Sequence, residues 1–211
     1  MDGIKLNLGS GNEAVPNFEN FDNSPSLLVS KVPLLKRLLF KVGVLAEEQW
    51  RRDWSGVRWR DLKRGLPYAD NAVSKIYSSH FLEHLPPQNA RALLQECHRV
   101  LKREGVMRIV VPDLLYHAEK YVRETRAALN RSQLDRHAHQ TFMNTVAGFY
   151  VDGGRPGREH CYMYDLPALV CLLQEIGFRS IERCDYRRGG DSELALLDSR
   201  PDESLHLEVR K

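Results

Sequence analysis

The sequence predicts an α/β fold: a mostly parallel sheet with helices on both faces and an antiparallel hairpin at the C-terminal end. Three observations carry this prediction. An apolar strand at the start of the chain runs directly into the closely spaced glycines Gly9 and Gly11. Later strand-like runs alternate with amphipathic helical patterns, and two short strand-like runs close the sequence. Sheets of this class bind ligands at the carboxyl ends of their strands.

The first part of the chain contains five predicted strands, near residues 4–8, 18–22, 57–60, 73–79 and 106–111. A helix is predicted over Arg91–Leu101, because its apolar residues recur on one face, and Gly105 is the predicted stop. These residues are Leu93, Leu94, Cys97, Val100 and Leu101.

The C-terminal part continues the same alternation. Residues 165–175 predict a helix closed by Gly177, and residues 178–186 predict a strand. Two further runs, Glu193–Leu197 and Ser204–Val209, flank a turn that contains Pro201. They predict the antiparallel hairpin.

Composition is typical of a globular protein and indicates one domain spanning residues 1–211. Of the 211 residues, 42% are hydrophobic and 28% charged, and the formal net charge of +3 is spread along the chain. We therefore expect no nucleic-acid partner, although Arg51 and Arg52 lie near three tryptophans. The four cysteines lack metal or disulfide spacing, and a strand begins at Ile4, so we expect reduced thiols and a cytoplasmic protein.

Two regions depart from the strand–helix alternation. Residues 26–50 are rich in leucine and valine but are interrupted by four cations, which excludes a membrane-spanning helix. The alternatives are a lid-like helical segment packed on the protein's own core, which is favoured, and peripheral contact with a membrane surface. Residues 114–150 predict a helical insertion of the kind that often forms a substrate pocket.

The glycine turn indicates a nucleotide-sized cofactor. Gly9-Ser-Gly11-Asn-Glu-Ala14 satisfies the pattern for nicotinamide dinucleotides, but Pro16 and the next strand follow too soon for the helix that a pyrophosphate needs. Asp22 also comes earlier than the acid of that pattern. S-adenosylmethionine has no phosphate, so the sequence favours it and leaves an NAD-type oxidoreductase as an alternative.

Several segments carry a family resemblance, in this order: Leu6–Gly11, Asp22, Asp61-Leu62, Gly65–Pro67 with Asp70-Asn71, Ile76–Leu85, Glu96–Lys102 and Arg108–Pro112. Together they resemble the class I S-adenosylmethionine-dependent methyltransferases over most of the chain. The similarity is greatest to the type 11 branch, which is often linked to glycan or polysaccharide assembly. It implies a Rossmann-like sheet of seven strands.

The resemblance also implies roles for particular residues. The Gly9–Gly11 turn would back the methionine moiety, Asp22 would accept the ribose hydroxyls, and Asp61 with Leu62 would meet the adenine. The predicted cofactor residues are Asn7, Gly9, Ser10, Gly11, Asp22, Asp61, Leu62, Ser78, Ser79 and His80. An alternative is that Asp22 and Asp61 only cap turns after strands.

Two positions depart from the family pattern. Asn7 stands where many members have an acid, and Glu13 stands where a third glycine is common. Glu13 is in a position to meet the ammonium group of the cofactor.

His80 is the leading catalytic candidate, because it ends a strand where the transferred methyl group should point. It would act as a base or would only shape the pocket. His80-Phe-Leu-Glu83-His84 also spells an inverted zinc-protease motif, but a strand precedes it and Pro86-Pro87 ends any helix within about one turn. We therefore expect no metal, and Glu83 and His84 fixing the loop by hydrogen bonds.

A glycine-rich basic loop over residues 153–160 supplies candidates of second rank. His160 and Tyr162 are predicted to act in catalysis or substrate binding, and Arg155 and Arg158 to hold an acidic group of the substrate. The alternative is a solvent-exposed loop that caps the next helix.

The function expected from these features is transfer of a methyl group from S-adenosylmethionine to an oxygen or nitrogen atom of a small molecule or glycan. A non-catalytic cofactor-binding scaffold is the main alternative. No oligomeric state is predicted.

Overall fold

The seven strands of the described residues belong to one sheet. The computed structural model describes residues 3–130, 136–147, 160–201 and 203–211. The order across the sheet is β3-β2-β1-β4-β5-β7-β6, in which β1 to β5 are parallel and β7 is antiparallel to both β5 and β6. The strands are β1 Ile4–Leu8, β2 Glu19–Asp22, β3 Val57–Trp59, β4 Val73–Ser79, β5 Leu101–Pro112, β6 Arg179–Cys184 and β7 Ser204–Arg210. The predicted fold class is confirmed.

Eight α-helices connect and cover the strands in the described part of the chain. They are α1 Pro25–Ser30, α2 Pro33–Lys41, α3 Glu47–Arg51, α4 Pro87–Val100, α5 Leu114–Asn130, α6 His137–Ala147, α7 Leu166–Ile176 and α8 Ser192–Ala195. Short 3₁₀ turns occur at Leu62–Arg64 and Leu82–His84. The α7 boundaries follow the sequence closely, because Asp165 caps the backbone N–H of Ala168 at 2.8 Å and Gly177 is left-handed at φ 112°.

Two predicted boundaries were wrong. Glu193–Leu197, predicted as a strand, contains α8, which Asp191 caps by accepting the backbone N–H of Leu194 at 3.0 Å. The antiparallel partner of β7 is therefore β6 as well as β5. Gly105 does not end the preceding helix, because α4 ends at Val100 and β5 already starts at Leu101. Short apolar runs do not distinguish a strand from one helical turn.

The main core lies between the sheet and the helices α4 and α7. It contains buried side chains of four parallel strands and of both helices. The apolar core on the opposite face of the sheet is smaller and contains a buried charge. Arg108 of β5 is fully buried there, with its guanidinium 2.6 Å from Asp198 and 2.8 Å from Glu208. A buried cation needs such paired acceptors, because burial without them would cost several kcal/mol.

The connection from β1 to β2 contains no helix, and all of its residues are described. Asn20 anchors this loop: its side chain accepts the backbone N–H of Val15 at 2.8 Å and donates to the carbonyl oxygen of Phe18 at 2.9 Å. Asn7 donates to Asn20 Oδ1 at 2.9 Å. Buried side-chain amides thus hold a loop whose backbone groups a helix would otherwise satisfy.

The segment 26–50 is helical, and its role as a lid stays a prediction. Leu27 of α1 is buried, whereas α2 has no buried residue. Leu34 is 82% exposed and Leu38 56% exposed. Among the described residues, no helix is long and apolar enough to cross a membrane.

The predicted insertion at 114–150 is helical where it is described. It forms α5 and α6, and Tyr121 stacks on Phe142 with 4.9 Å between ring centroids, which holds the two helices together. Residues 131–135 and 148–150 of the insertion lie outside the described residues.

Candidate functional site

The site lies where the strand order reverses, at the carboxyl ends of β1 and β4. These neighbouring strands lead into connections that run to opposite sides of the sheet, which opens a crevice between them. Gly9 follows β1, and His80 follows β4. The backbone N–H groups of Gly9 and Ser10 both donate to the carbonyl oxygen of Phe21, at 2.9 and 3.1 Å, and this fixes the turn.

Glycine is needed at positions 9 and 11 for different structural reasons. Both have positive φ, +68° at Gly9 and +55° at Gly11. A Cβ at Gly9 would lie 2.1 Å from Cγ of Phe81, whereas a Cβ at Gly11 would meet nothing within 4 Å. Gly9 therefore allows close packing inside the protein, and Gly11 borders open space.

Two adjoining cavities follow this turn. The first, of about 210 Å³, is lined by the glycine loop, by the end of β4 and by the segment before β7; the second, of about 910 Å³, extends past the end of β4 toward α3. They share Gly11, Asn12, Glu13, His80 and Arg200. We call them the loop cavity and the outer cavity.

The acids predicted to hold the ribose and adenine both cap turns. Asp22 is buried, and its two oxygens accept the backbone N–H groups of Gly11 at 2.9 Å and Ser24 at 2.7 Å. Asp61 accepts the backbone N–H of Lys63 at 3.1 Å. Both acids therefore cap turns, as the alternative interpretation expected. A carboxylate has further lone pairs, so a contact of Asp22 or Asp61 with a bound sugar or base stays a prediction.

Three other predicted cofactor residues offer little side-chain surface. Leu62 is 2% exposed and packs in the main core, so its side chain presents little surface to a ligand, and its contact with adenine stays a prediction. Ser78 is 1% exposed, and its hydroxyl has no hydrogen-bond partner among the described residues. Asn7 lines the loop cavity while its amide holds Asn20. Ser79 and Ser10 line the same cavity.

His80 lies at the junction of the two cavities in a left-handed conformation with φ 48°. Non-glycine residues pay for this conformation and hold it only where the surroundings impose it, which is common at functional sites. Its Nε2 is 2.9 Å from the Ser204 hydroxyl and its Nδ1 is 3.5 Å from Glu83 Oε1. Burial, followed by the nearby cation Arg200, lowers the pKa of His80 to about 4, so the imidazole is neutral at physiological pH.

Glu83 is a fully buried acid beside His80. Neither of its carboxylate oxygens has a hydrogen-bond partner in the described part of the chain, and burial raises its pKa to about 8. Its backbone carbonyl accepts N–H groups from Cys161 at 2.6 Å and Tyr162 at 3.1 Å. The expectation that Glu83 fixes its loop by hydrogen bonds is confirmed for its backbone carbonyl, whereas its side chain takes no part.

His160 reaches the site, and Tyr162 does not line either cavity. His160 and His84 face each other edge to face with ring centroids 5.0 Å apart, and both line the outer cavity. The Tyr162 side chain is 43% exposed and packs against Tyr164. Arg155 and Arg158 lie in residues 148–159, which are outside the described part of the chain.

Sequence reasoning missed residues that come from distant parts of the chain. Leu197, Ser199 and Arg200 line the loop cavity from the segment before β7. Arg51 and Arg52 line the outer cavity from the end of α3. The run of Arg51 and Arg52 near three tryptophans stood out in the sequence, but only the tertiary structure shows that these residues line a cavity at this edge.

Comparison with known proteins gives one family model that matches part of the chain. The family model described as "Methyltransferase domain" matches residues 44–109, just under a third of the chain. No curated protein matches the sequence significantly.

Solved structures match the whole fold at low sequence identity. A methyltransferase from Methanosarcina mazei has a TM-score of 0.53 and 14% identity, with 99% of this chain and 91% of that chain covered. Structures from Thermotoga maritima, described as a possible histamine N-methyltransferase, and from Archaeoglobus fulgidus each have a TM-score of 0.51 and 15% identity. They cover 100% of this chain and 83% and 86% of their own. The match to the methyltransferase model confirms the predicted resemblance, and the solved structures share the fold. S-adenosylmethionine as the cofactor stays a prediction.

Proposed function

We propose that this chain is an S-adenosylmethionine-dependent methyltransferase that transfers the methyl group to an oxygen or nitrogen atom of a small molecule or glycan. The observation that carries the proposal is that the two cavities adjoin and share lining residues, His80 among them. A donor in one cavity and an acceptor in the other would meet at that residue.

The residues of the loop cavity suit the donor. S-adenosylmethionine, when bound, supplies an activated methyl group on a sulfonium, together with an ammonium and a carboxylate. Glu13 and Arg200 line the cavity with the two complementary charges, and Gly11 leaves space beside the backbone. The buried Asp22 lies directly beneath Gly11 and keeps unused lone pairs for a sugar hydroxyl.

Methyl transfer requires mainly that the protein align the acceptor atom with the methyl group of the donor. The acceptor lone pair forms the new bond to carbon, the carbon–sulfur electron pair returns to sulfur, and one proton leaves the acceptor. Neutral His80 can take that proton, although its low pKa makes it a weak base in the empty site. The outer cavity is lined by Arg51, Arg52 and three histidines, which suits a polar, oxygen-rich acceptor.

Calorimetric titration separates the cofactor alternatives. We expect S-adenosylhomocysteine to bind with one site per chain and NAD not to bind. Tight binding of NAD alone would refute the proposal in favour of an oxidoreductase.

Radiolabelled methyl transfer to hydroxyl-bearing small molecules, amines and oligosaccharides then tests turnover. We expect label in an O-methyl or N-methyl product. Binding of S-adenosylhomocysteine without transfer to any of these classes would favour the scaffold alternative.

The role of His80 is tested by His80→Gln, with His139→Gln on the exposed surface of α6 as the matched control. If His80 accepts the proton, the variant loses about 10²-fold or more in kcat while binding of S-adenosylhomocysteine is retained. Unchanged kcat would leave His80 as a residue that only shapes the pocket.

We also propose that the segment 26–50 contacts an anionic membrane surface. Its exposed leucines on α2 are accompanied by Lys31, Lys36, Arg37 and Lys41, and residues 23–46 include no acidic residue. Apolar surface beside cations favours binding to anionic lipid. Since α3 follows directly and lines the outer cavity, such contact would bring that cavity close to a lipid-linked acceptor.

Vesicle co-sedimentation tests this contact. Binding to vesicles with phosphatidylserine, weaker binding to phosphatidylcholine alone, and loss of binding in a Leu34→Ser and Leu38→Ser variant are expected. Leu115→Ser, at a 56% exposed leucine of α5, is the control and should bind normally. Equal binding of both variants would contradict the proposal.

A further inference from the structure

Three metal-binding side chains converge in the wall of the outer cavity. Glu83 and His84 belong to the 3₁₀ turn after β4, and His160 comes from a distant part of the chain. One ligand atom from each lies within 4.8 Å of the other two. Sequence reasoning expected no metal here, because it tested only a helical protease motif.

Glu83 provides the observation that points to a ligand. Its side chain is 0% exposed, and both oxygens lack a hydrogen-bond partner among the described residues. Buried polar atoms are nearly always paired, so an orphaned carboxylate needs an explanation such as a bound ion. The nearest cation candidates are the imidazoles of His80 and His84, at 3.5 and 3.9 Å from Oε1, and neither is a hydrogen bond.

The structure also sets the tautomer of His160. Its Nδ1 is hydrogen-bonded to the backbone carbonyl oxygen of Thr145, and a carbonyl can only accept. Nδ1 therefore carries the proton, which leaves the Nε2 lone pair for a metal. A histidine ligand held by a backbone carbonyl through its other nitrogen is the usual arrangement around protein metals.

The turn and the segment of His160 are tied together independently of any ion. The carbonyl oxygen of Glu83 accepts the N–H groups of Cys161 and Tyr162, the two residues that follow His160. The ligand set is thus placed by the backbone and does not depend on two flexible surface loops meeting.

We propose that Glu83, His84 and His160 bind a divalent transition-metal ion whose remaining coordination positions face the outer cavity. Two imidazoles and one carboxylate form the ligand set of many catalytic zinc sites, and imidazole favours zinc, cobalt or nickel over magnesium. Bond lengths of about 2.0 Å require ligand atoms roughly 3.3 Å apart in a tetrahedral site. The side chains therefore close in slightly on binding.

A metal there would deepen the proposed function, and this step rests on it. A hydroxyl group of the acceptor would occupy an open position, and the ion would lower its pKa. The acceptor oxygen would then form its bond to the methyl carbon as the carbon–sulfur electron pair returns to sulfur, and the hydroxyl proton would leave to solvent. The acceptor class would then be a hydroxyl compound rather than an amine.

Metal binding is measured on the full chain without cofactor or acceptor. After chelator treatment, the protein is titrated with Zn²⁺ by calorimetry and with Co²⁺ by visible absorption. We expect one ion per chain, an intense Co²⁺ spectrum of low coordination number, and weak or no binding of Mg²⁺. No saturable binding of Zn²⁺ or Co²⁺ would overturn the proposal.

Three ligand variants and one control test whether these side chains bind the metal. Glu83→Gln, His84→Gln and His160→Gln should each weaken Zn²⁺ binding by about tenfold or more, while His139→Gln binds as wild type. Glu83→Gln keeps the shape of the side chain and removes its charge, so it should remain folded. Zn²⁺ binding that all three ligand variants retain would refute the assignment.

The failures of the two proposals are distinguishable. Methyl transfer that persists at full rate after complete metal removal contradicts the catalytic role of the ion and leaves the proposed methyltransferase function intact. Site-specific metal binding without any methyl transfer contradicts the proposed function and leaves the metal site intact.

Discussion

Replacing Gly9 by alanine should destabilise the protein far more than the same replacement at Gly11. Both glycines have positive φ, and alanine in that conformation costs about 1–2 kcal/mol. Alanine also lowers the conformational entropy of the unfolded chain, which stabilises the folded protein by roughly 0.4–1 kcal/mol. For Gly11→Ala nothing else changes, because the new Cβ meets no atom within 4 Å. Its net cost should be about 0–1.5 kcal/mol.

Gly9→Ala adds a steric conflict. The new Cβ would lie 2.1 Å from Cγ of Phe81, so the ring or the turn must move. Overpacking of this kind costs about 1–3 kcal/mol, which is the expected difference between the two variants. Urea unfolding measures it directly as a difference in the free energy of unfolding.

A double-mutant cycle identifies the cause. Phe81→Ala alone should cost about 3–5 kcal/mol, because Phe81 is 9% exposed and packs in the main core. Combined with Gly9→Ala, the total should be smaller than the sum by about 1–3 kcal/mol. The reasoning is refuted if the free energies of unfolding of Gly9→Ala and Gly11→Ala differ by less than about 0.5 kcal/mol, which is the error expected from non-additivity.

Further predictions concern the buried polar groups. Arg108→Met should lower the free energy of unfolding by about 3–5 kcal/mol, because it leaves two buried carboxylates without their cation. Arg58→Met removes only an exposed ion pair and should lower it by about 1 kcal/mol or less. Urea denaturation measures both values. Folding raises the pKa of Glu83 from its ordinary 4.5 to about 8, so the metal-free protein should lose stability as pH rises through that window. Glu83→Gln should lack this loss, and parallel pH profiles for the two proteins would contradict the assignment. Asn20→Ala should cost about 1–3 kcal/mol in thermal unfolding and also weaken binding of S-adenosylhomocysteine, since it releases the β1–β2 loop; an unchanged affinity would separate the loop from the cofactor.

Strong local patterns predicted most of the framework. β1, the α7 helix with its Asp165 cap and Gly177 stop, and the parallel strands around the glycine turn all follow from periodicity and capping. These features depend on neighbours in the chain, which a sequence displays. The pattern was ambiguous where an apolar run was short, as at Glu193–Leu197, and there the prediction of a strand was wrong.

The composition of the site was predicted in part. Gly9, Gly11 and His80 stand at the ends of predicted strands, and parallel strands bring such ends to one edge of the sheet. Leu62 was assigned to the ligand by resemblance, but the fold buries its side chain in the core. Burial of that kind depends on what packs from the other side, which local sequence does not show.

The sequence by itself determined most of the alternation of strands and helices and the glycine turn, and it predicted a nucleotide-type cofactor, because each of these features depends on a few consecutive residues. Only the tertiary structure decided that Glu83 is buried without a hydrogen-bond partner, that His160 faces His84, and that Arg108 lies between two acids. The physical reason is that burial and charge pairing are properties of the space between elements. That space is created only when segments far apart in the chain pack together.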